Sequence, residues 1–108
     1  MSSFVQVLQP SGLLTGNNAK QLRYQIDDLV TTGVNVVLVD LQDVAFIDSS
    51  GLGALIAAQR IAKTANCQFF LCSINEQVKM LFDLNRMDRF FEIFDDQEEF
   101  NKSFISTK

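Results

Sequence analysis

The residues best placed to do chemistry in this chain lie together in Asp48-Ser49-Ser50-Gly51-Leu52-Gly53. Asp and Ser are favoured at the cap that opens a helix, and the stretch after them has helical patterning. A helix start carries unpaired N–H groups and the positive end of the helix dipole. It can therefore accommodate a phosphate on an adjacent hydroxyl. Gly51 and Gly53 remove side chains that would block close approach. Two readings stand on these residues alone. In one, Asp-Ser-Ser caps a helix and the glycines turn the chain. In the other, a serine is a hydroxyl meant for modification.

Other chemistries lack their parts. The chain has no His, which excludes Ser-His-Asp and Cys-His nucleophile systems, excludes a His phosphorelay, and argues against a zinc site. A phosphate-binding P-loop needs Gly-Lys-Ser/Thr, which is absent. A nucleophile elbow needs Gly two residues before its Ser, and Asp48 holds that place for Ser50. Cys67 and Cys72 are not a CxxC pair; they read as a loop thiol and a buried strand thiol. The acids Asp95, Asp96, Glu98 and Glu99 sit at a helix start, where they favour the dipole. Arg86 and Arg89 read as a solvated face. Asp40 lies near the end of a strand, as in a receiver-type phospho-aspartate domain. That chemistry needs an acidic pair after the first strand, and Gln9-Pro10-Ser11 offers none. The residues favour no enzyme, metal or cofactor.

The elements that must position the serines follow from hydrophobic spacing. Phe4–Gln9 reads as a strand, and Pro10-Ser11 as a turn or bulge. Gly12–Leu14 reads as a short second strand, the antiparallel neighbour of the first. Ala19, Leu22, Ile26, Leu29 and Val30 share one face of a helix ending near Thr31, with Gly33 as its C-terminal glycine. Val34–Leu41 carries a continuous β-branched run, the mark of a strand covered on both faces. Asp43–Ile47 reads as a connection with Phe46 and Ile47 turned inward. A helix from the serines to about Thr64, a strand over Gln68–Ser73, a helix over Asn75–Leu84, an edge strand over Phe90–Phe94 and a closing helix over Asp95–Ile105 complete the chain. The closing helix uses Phe100, Phe104 and Ile105. Strand–helix alternation predicts an α/β domain with right-handed crossovers.

With 108 residues, 47% of them hydrophobic, the chain suits one domain with a real core. The net charge of −4 argues against nucleic acid or an anionic membrane as main partner. The start Met1-Ser2-Ser3-Phe4 lacks signal-peptide character, and no apolar stretch approaches the roughly 20 residues of a membrane helix. A cytoplasmic protein that meets another protein is the expectation.

At about 100° per residue, Ala54, Ala57, Ala58, Ile61, Ala62 and Ala65 fall on one side of the serine helix, suited to packing on a sheet. Leu52, Ile56, Gln59, Arg60 and Lys63 fall on the other. Leu52 and Ile56 thus read as an exposed apolar pair beside the serines, as a switchable protein contact needs. The alternative is that they pack under a neighbouring loop.

The string Phe46-Ile47-Asp48-Ser49-Ser50-Gly51-Leu52-Gly53 closely resembles the signature of the STAS family, the bacterial anti-sigma factor antagonists. The resemblance extends over the chain through Gly12-Leu13, Val36–Leu41, Val78-Lys79-Met80-Leu81-Phe82 and Met87 to Phe94. It implies a STAS-like mixed sheet of four to five strands flanked by about four helices, in a single domain over residues 1–108. It further implies a non-enzymatic switch without a cofactor of its own. Ser49 is then the phosphoacceptor. The partner is an anti-sigma factor serine kinase, which brings ATP and magnesium, and a serine phosphatase resets the cycle. The unphosphorylated form, a monomer by expectation, binds the kinase through Asp48, Ser49, Ser50, Gly51, Leu52 and Ile56 and frees the sigma factor. Thr15-Gly16-Asn17-Asn18 departs from the family, where many relatives carry an acid after the Gly-x-Leu element. The competing function is a phosphorylation-independent scaffold or small-ligand module in a larger signalling or transport complex.

Overall fold

The computed structural model describes residues 5–105. Phe4 and the side chain of Ile105 lie outside the described residues. The β-branched run forms β3 (Val36–Asp40), in which every residue is buried. Apolar residues on both faces require cover on both, and they receive it. β1 (Val5–Leu8), β3, β5 (Gln68–Cys72) and β6 (Glu92–Phe94) form a sheet in the order β1-β3-β5-β6, all parallel. Val37, Val39, Phe69 and Leu71 enter one core. Their neighbours Val36, Leu38, Phe70 and Cys72 enter a second. The first core is closed by α1 (Gly16–Thr31), α2 (Ser49–Thr64) and α3 (Glu76–Leu84), through Leu22, Ile26, Leu55, Ala58, Val78 and Phe82. The second is closed by α4 (Gln97–Ile105), whose Phe100 and Phe104 lie with ring centroids 5.3 and 5.8 Å from Phe70.

The α/β architecture with four helices is the one the sequence predicts. The pairing at the start of the chain differs. β2 (Gly12–Leu14) is not the antiparallel neighbour of β1. It pairs in parallel with β4 (Val44–Ile47) in a separate two-stranded sheet, so every ladder described is parallel and the sheet is not mixed. Pro10 lies between β1 and β2 without joining them as a hairpin. Proline has no N–H to give a ladder, and the two strands on either side of it enter separate sheets. β3 and β4 are broken alike at Leu41–Asp43. The two breaks are tied by the Gly12 N–H donating to the Asp43 carbonyl at 2.9 Å and the Gln9 amide donating to the Asp43 carboxylate at 3.0 Å.

Asp43–Ile47 is thus largely a strand, and only half of its apolar pair turns inward. Ile47 is fully buried, whereas Phe46 is 42% exposed beside its ladder partner Leu13. Strand alternation requires that opposition. The edge strand begins later than the spacing suggests, because Met87–Arg89 forms a 3-10 turn before it. α1 ends as predicted. Gly33, at φ 95°, donates to Val30, and Val34 donates to Leu29, which together satisfy carbonyls the helix end would leave unpaired.

Candidate functional site

β4 delivers the serines. Because β2 and β4 run parallel with Leu14 opposite Ile47, α1 and α2 both start at the same end of that small sheet. Asp48 is the N-cap of α2, with extended backbone, and its carboxylate accepts the Gly51 N–H at 3.0 Å. That bond satisfies one of the helix start's unpaired donors. Ser49 and Ser50 are the first two helical residues, and both are exposed.

Gly51 explains itself through packing. A Cβ there would stand 2.1 Å from the carbonyl oxygen of Leu14, so the helix start rests directly on the β2 backbone. Gly53 faces open space on the exposed side. The other edge of β4 is held by side chains of α3. The Gln77 amide donates to the Ile47 carbonyl at 3.2 Å and accepts the Ile47 N–H at 3.1 Å. Asn75 caps α3 by accepting the Val78 N–H at 2.9 Å, and donates to the Val44 carbonyl at 3.0 Å. The strand that ends one residue before the cap is therefore gripped on both edges.

The serines point differently. Ser50 lines a groove with Gly53 and Ala54 of α2 against Gly16, Lys20 and Arg23 of α1. Ser49 stands about 100° away around the helix, on the outward side that continues through Gly53, Ile56, Arg60 and Lys63. Among the described residues the Ser49 hydroxyl has no partner.

Two expectations are corrected here. Leu52 is only 6% exposed and belongs to the first core, so it is not half of an exposed apolar pair. Ile56 is partly buried at the edge of that core. The cause is the width of the covered arc on α2. The helix as a whole packs more on α1 than on the sheet. On the opposite side the Gln59 amide donates to the Phe90 carbonyl and draws the 3-10 segment over the helix.

The other candidate groups are engaged. Asp40 is 1% exposed, accepting the Gln42 N–H at 2.9 Å and the Gln97 amide at 2.7 Å. It fastens α4 and is closed to a phosphoryl donor. Cys67 and Cys72 are both buried free thiols. Burial pushes the Cys67 thiol upward and the Cys72 thiol up to about 11, which keeps both protonated near neutral pH. Asp96 accepts the Glu99 N–H at 2.8 Å, and Glu98 and Glu99 occupy the first turn of α4, so the acidic run serves that helix start.

The parts of the site that local sequence does not announce are Gln77 and the Leu14 backbone. Asn75 is recognisable as a cap by type. Gln77 carries no local signal, because its partner is 30 residues away.

The chain belongs to the STAS domain family, whose model matches residues 3–100. It is 30% identical over 92 residues to a Thermotoga maritima protein provisionally described as an anti-sigma factor antagonist, covering 84% of this chain and 81% of that one. It is 23% identical to an anti-sigma F factor antagonist of Paenibacillus polymyxa over 86% of this chain and 80% of the relative. A solved structure of a Thermotoga maritima antagonist with the same provisional description superimposes with a TM-score of 0.84 at 29% identity, covering 92% of this chain and 86% of that one. The anti-sigma factor antagonist SpoIIAA in its unphosphorylated form shares the fold, with a TM-score of 0.77 at 17% identity over 94% of this chain and 90% of its own. No helix among the described residues is long and apolar enough to cross a membrane.

Proposed function

We propose that this chain is an anti-sigma factor antagonist switched at Ser49. The unphosphorylated form binds a serine-kinase anti-sigma factor and so releases a sigma factor. Phosphorylation of Ser49 by that kinase turns binding off, and a serine phosphatase restores it. The cycle needs no catalysis by this chain and runs in the cytoplasm. The observation that carries the reading is the exposed, unpartnered Ser49 hydroxyl at the first position of a helix start held from three sides.

Each neighbour has a distinct part. Asp48 holds the helix start, and Gly51 sets its height on β2. Leu52 anchors the turn from below, while Ser49, Ser50 and Ile56 meet the partner. A phosphate adds about −1.5 to −2 charge. At the first turn that charge lies beside helix N–H groups and is compatible with the fold. An interface shaped for a neutral hydroxyl instead meets dense charge and a desolvation cost. A loss of roughly 2–4 kcal/mol weakens binding about 30- to 1000-fold.

The test is binding of Ser49→Ala and Ser49→Asp to the kinase from the same genome that phosphorylates this chain. The alanine variant is expected to stay bound in the presence of ATP, and the aspartate variant to bind at least tenfold more weakly. Equal binding by the two variants rejects the switch.

A further inference from the structure

The outward face of α2 does not end at the serines. Two turns beyond Ser49 it reaches a groove of about 360 Å³ lined by Ile56, Gln59, Arg60, Lys63, Met87 and Phe90. Its apolar part is Ile56, Met87 and Phe90, and Phe90 is 57% exposed. Exposed aromatic surface beside a hollow is characteristic of contact sites. Both walls are fixed to each other, since Gln59 of α2 donates to the Phe90 carbonyl.

The rim is cationic. Neither Arg60 nor Lys63 makes an ion pair among the described residues. Glu92, which shares an adjacent hollow with Lys63, does not pair with it either. Arg86 and Arg89 are exposed and flank Met87 and Phe90 in sequence. Two of the nine basic residues, Arg60 and Lys63, thus line this groove, in a chain of net charge −4. Local positive charge against an acidic whole selects a negative occupant, and the apolar floor asks that the occupant carry an apolar side chain. Free nucleic acid fits poorly, because the rest of the chain repels phosphates.

We propose, resting on the reading of Ser49 as a kinase-controlled switch, that this groove is a docking site for an acidic segment of the anti-sigma factor kinase. An apolar side chain of that segment sits among Ile56, Met87 and Phe90, and its carboxylates face Arg60 and Lys63. At about 1.5 Å per residue, Ile56 stands about 10 Å along the helix from Ser49. That is close to the screening length of about 8 Å at physiological salt. A phosphate on Ser49 therefore repels the near end of the acidic segment, and the switch acts on docking by charge as well as by blocking the hydroxyl's own contact.

The experiment uses the full chain and the serine-kinase anti-sigma factor of the same organism, identified by transfer of phosphate from Mg-ATP to Ser49. Affinity is measured for unphosphorylated wild type, Arg60→Glu, Arg60→Glu/Lys63→Glu, Phe90→Ala, and Lys102→Glu as a control. Lys102 is exposed on α4, across the sheet from α2. Circular dichroism checks that each variant keeps the wild-type fold. The expected loss is about tenfold for Arg60→Glu or Phe90→Ala and about 30-fold or more for the double reversal. The double reversal should also bind with a flatter salt dependence, and Lys102→Glu should bind within about twofold of wild type. Equal losses from Arg60→Glu and Lys102→Glu overturn the proposal, since net charge alone then explains them. Wild-type affinity in the double reversal, with Ser49 still phosphorylated, overturns the groove and leaves the Ser49 switch standing. If no candidate kinase phosphorylates or binds the chain, the switch fails and the docking proposal fails with it.

Discussion

α1 and α2 begin side by side, each 16 residues long and each following one strand of the same parallel pair, yet their starts are built to different tolerances. α1 is preceded by Thr15, whose side chain makes no capping bond, and its first residue Gly16 has φ 50° with open space around it. Asn18 reaches back to the Leu13 carbonyl at 2.9 Å. α2 is capped by Asp48, seated on Leu14 through Gly51, and follows a strand clamped by Asn75 and Gln77. Neither first turn carries an acid. The difference lies at the cap and beneath it, where the Asp48 carboxylate bonds the helix start and Thr15 makes no such bond. The start that offers the serine is tied by more contacts than its neighbour. A partner that must read a single hydroxyl gains from such fixing, because less freedom is lost on binding.

The largest test of that contrast is Gly51→Ala against Gly53→Ala. The first puts a methyl group against a backbone carbonyl and should destabilise by about 3 kcal/mol. The second enters open space on an exposed helix and should stabilise by about 0.5–1 kcal/mol, as Ala is the better helix former. Denaturant midpoints of the two variants decide it, and similar midpoints would break the comparison. Gln77→Ala comes next. It removes two hydrogen bonds from a partly buried strand edge and should lower stability by about 1–3 kcal/mol. It should also raise hydrogen exchange at Ile47 while leaving α1 unchanged. The smallest effect separates the two caps. Asp48→Ala should lower stability by about 1 kcal/mol, and Thr15→Ala should stay within about 0.5 kcal/mol of wild type. Thermal melts at neutral pH measure both.

Local sequence carries much of this fold and site. The helix of Leu22 and Ile26 is readable because its apolar spacing and its Gly33 end are local properties. β3 is readable because an unbroken β-branched run has no other economical place than a doubly covered strand. The Asp48 cap and the exposed serines are readable for the same reason, since a cap is a bond across three residues. Leu52 and Phe46 were not readable in the same way. Which side of a helix or strand is covered depends on what packs there, and Phe90 and the β2–β4 ladder arrive from distant segments.

By itself the sequence determined the four helices, the strands other than β4, the capped helix start with its serines, and the acidic balance that points to a protein partner. All of these rest on residue type and spacings of a few residues. Tertiary structure alone decided that the strands on either side of Pro10 enter separate sheets instead of forming a hairpin. It also decided that Gly51 rests on Leu14, that Gln77 clamps Ile47, and that Ser49 and Ser50 face different neighbours. Those outcomes depend on which backbones meet in space, and backbone meetings between segments 30 or more residues apart leave no periodicity for a sequence to display.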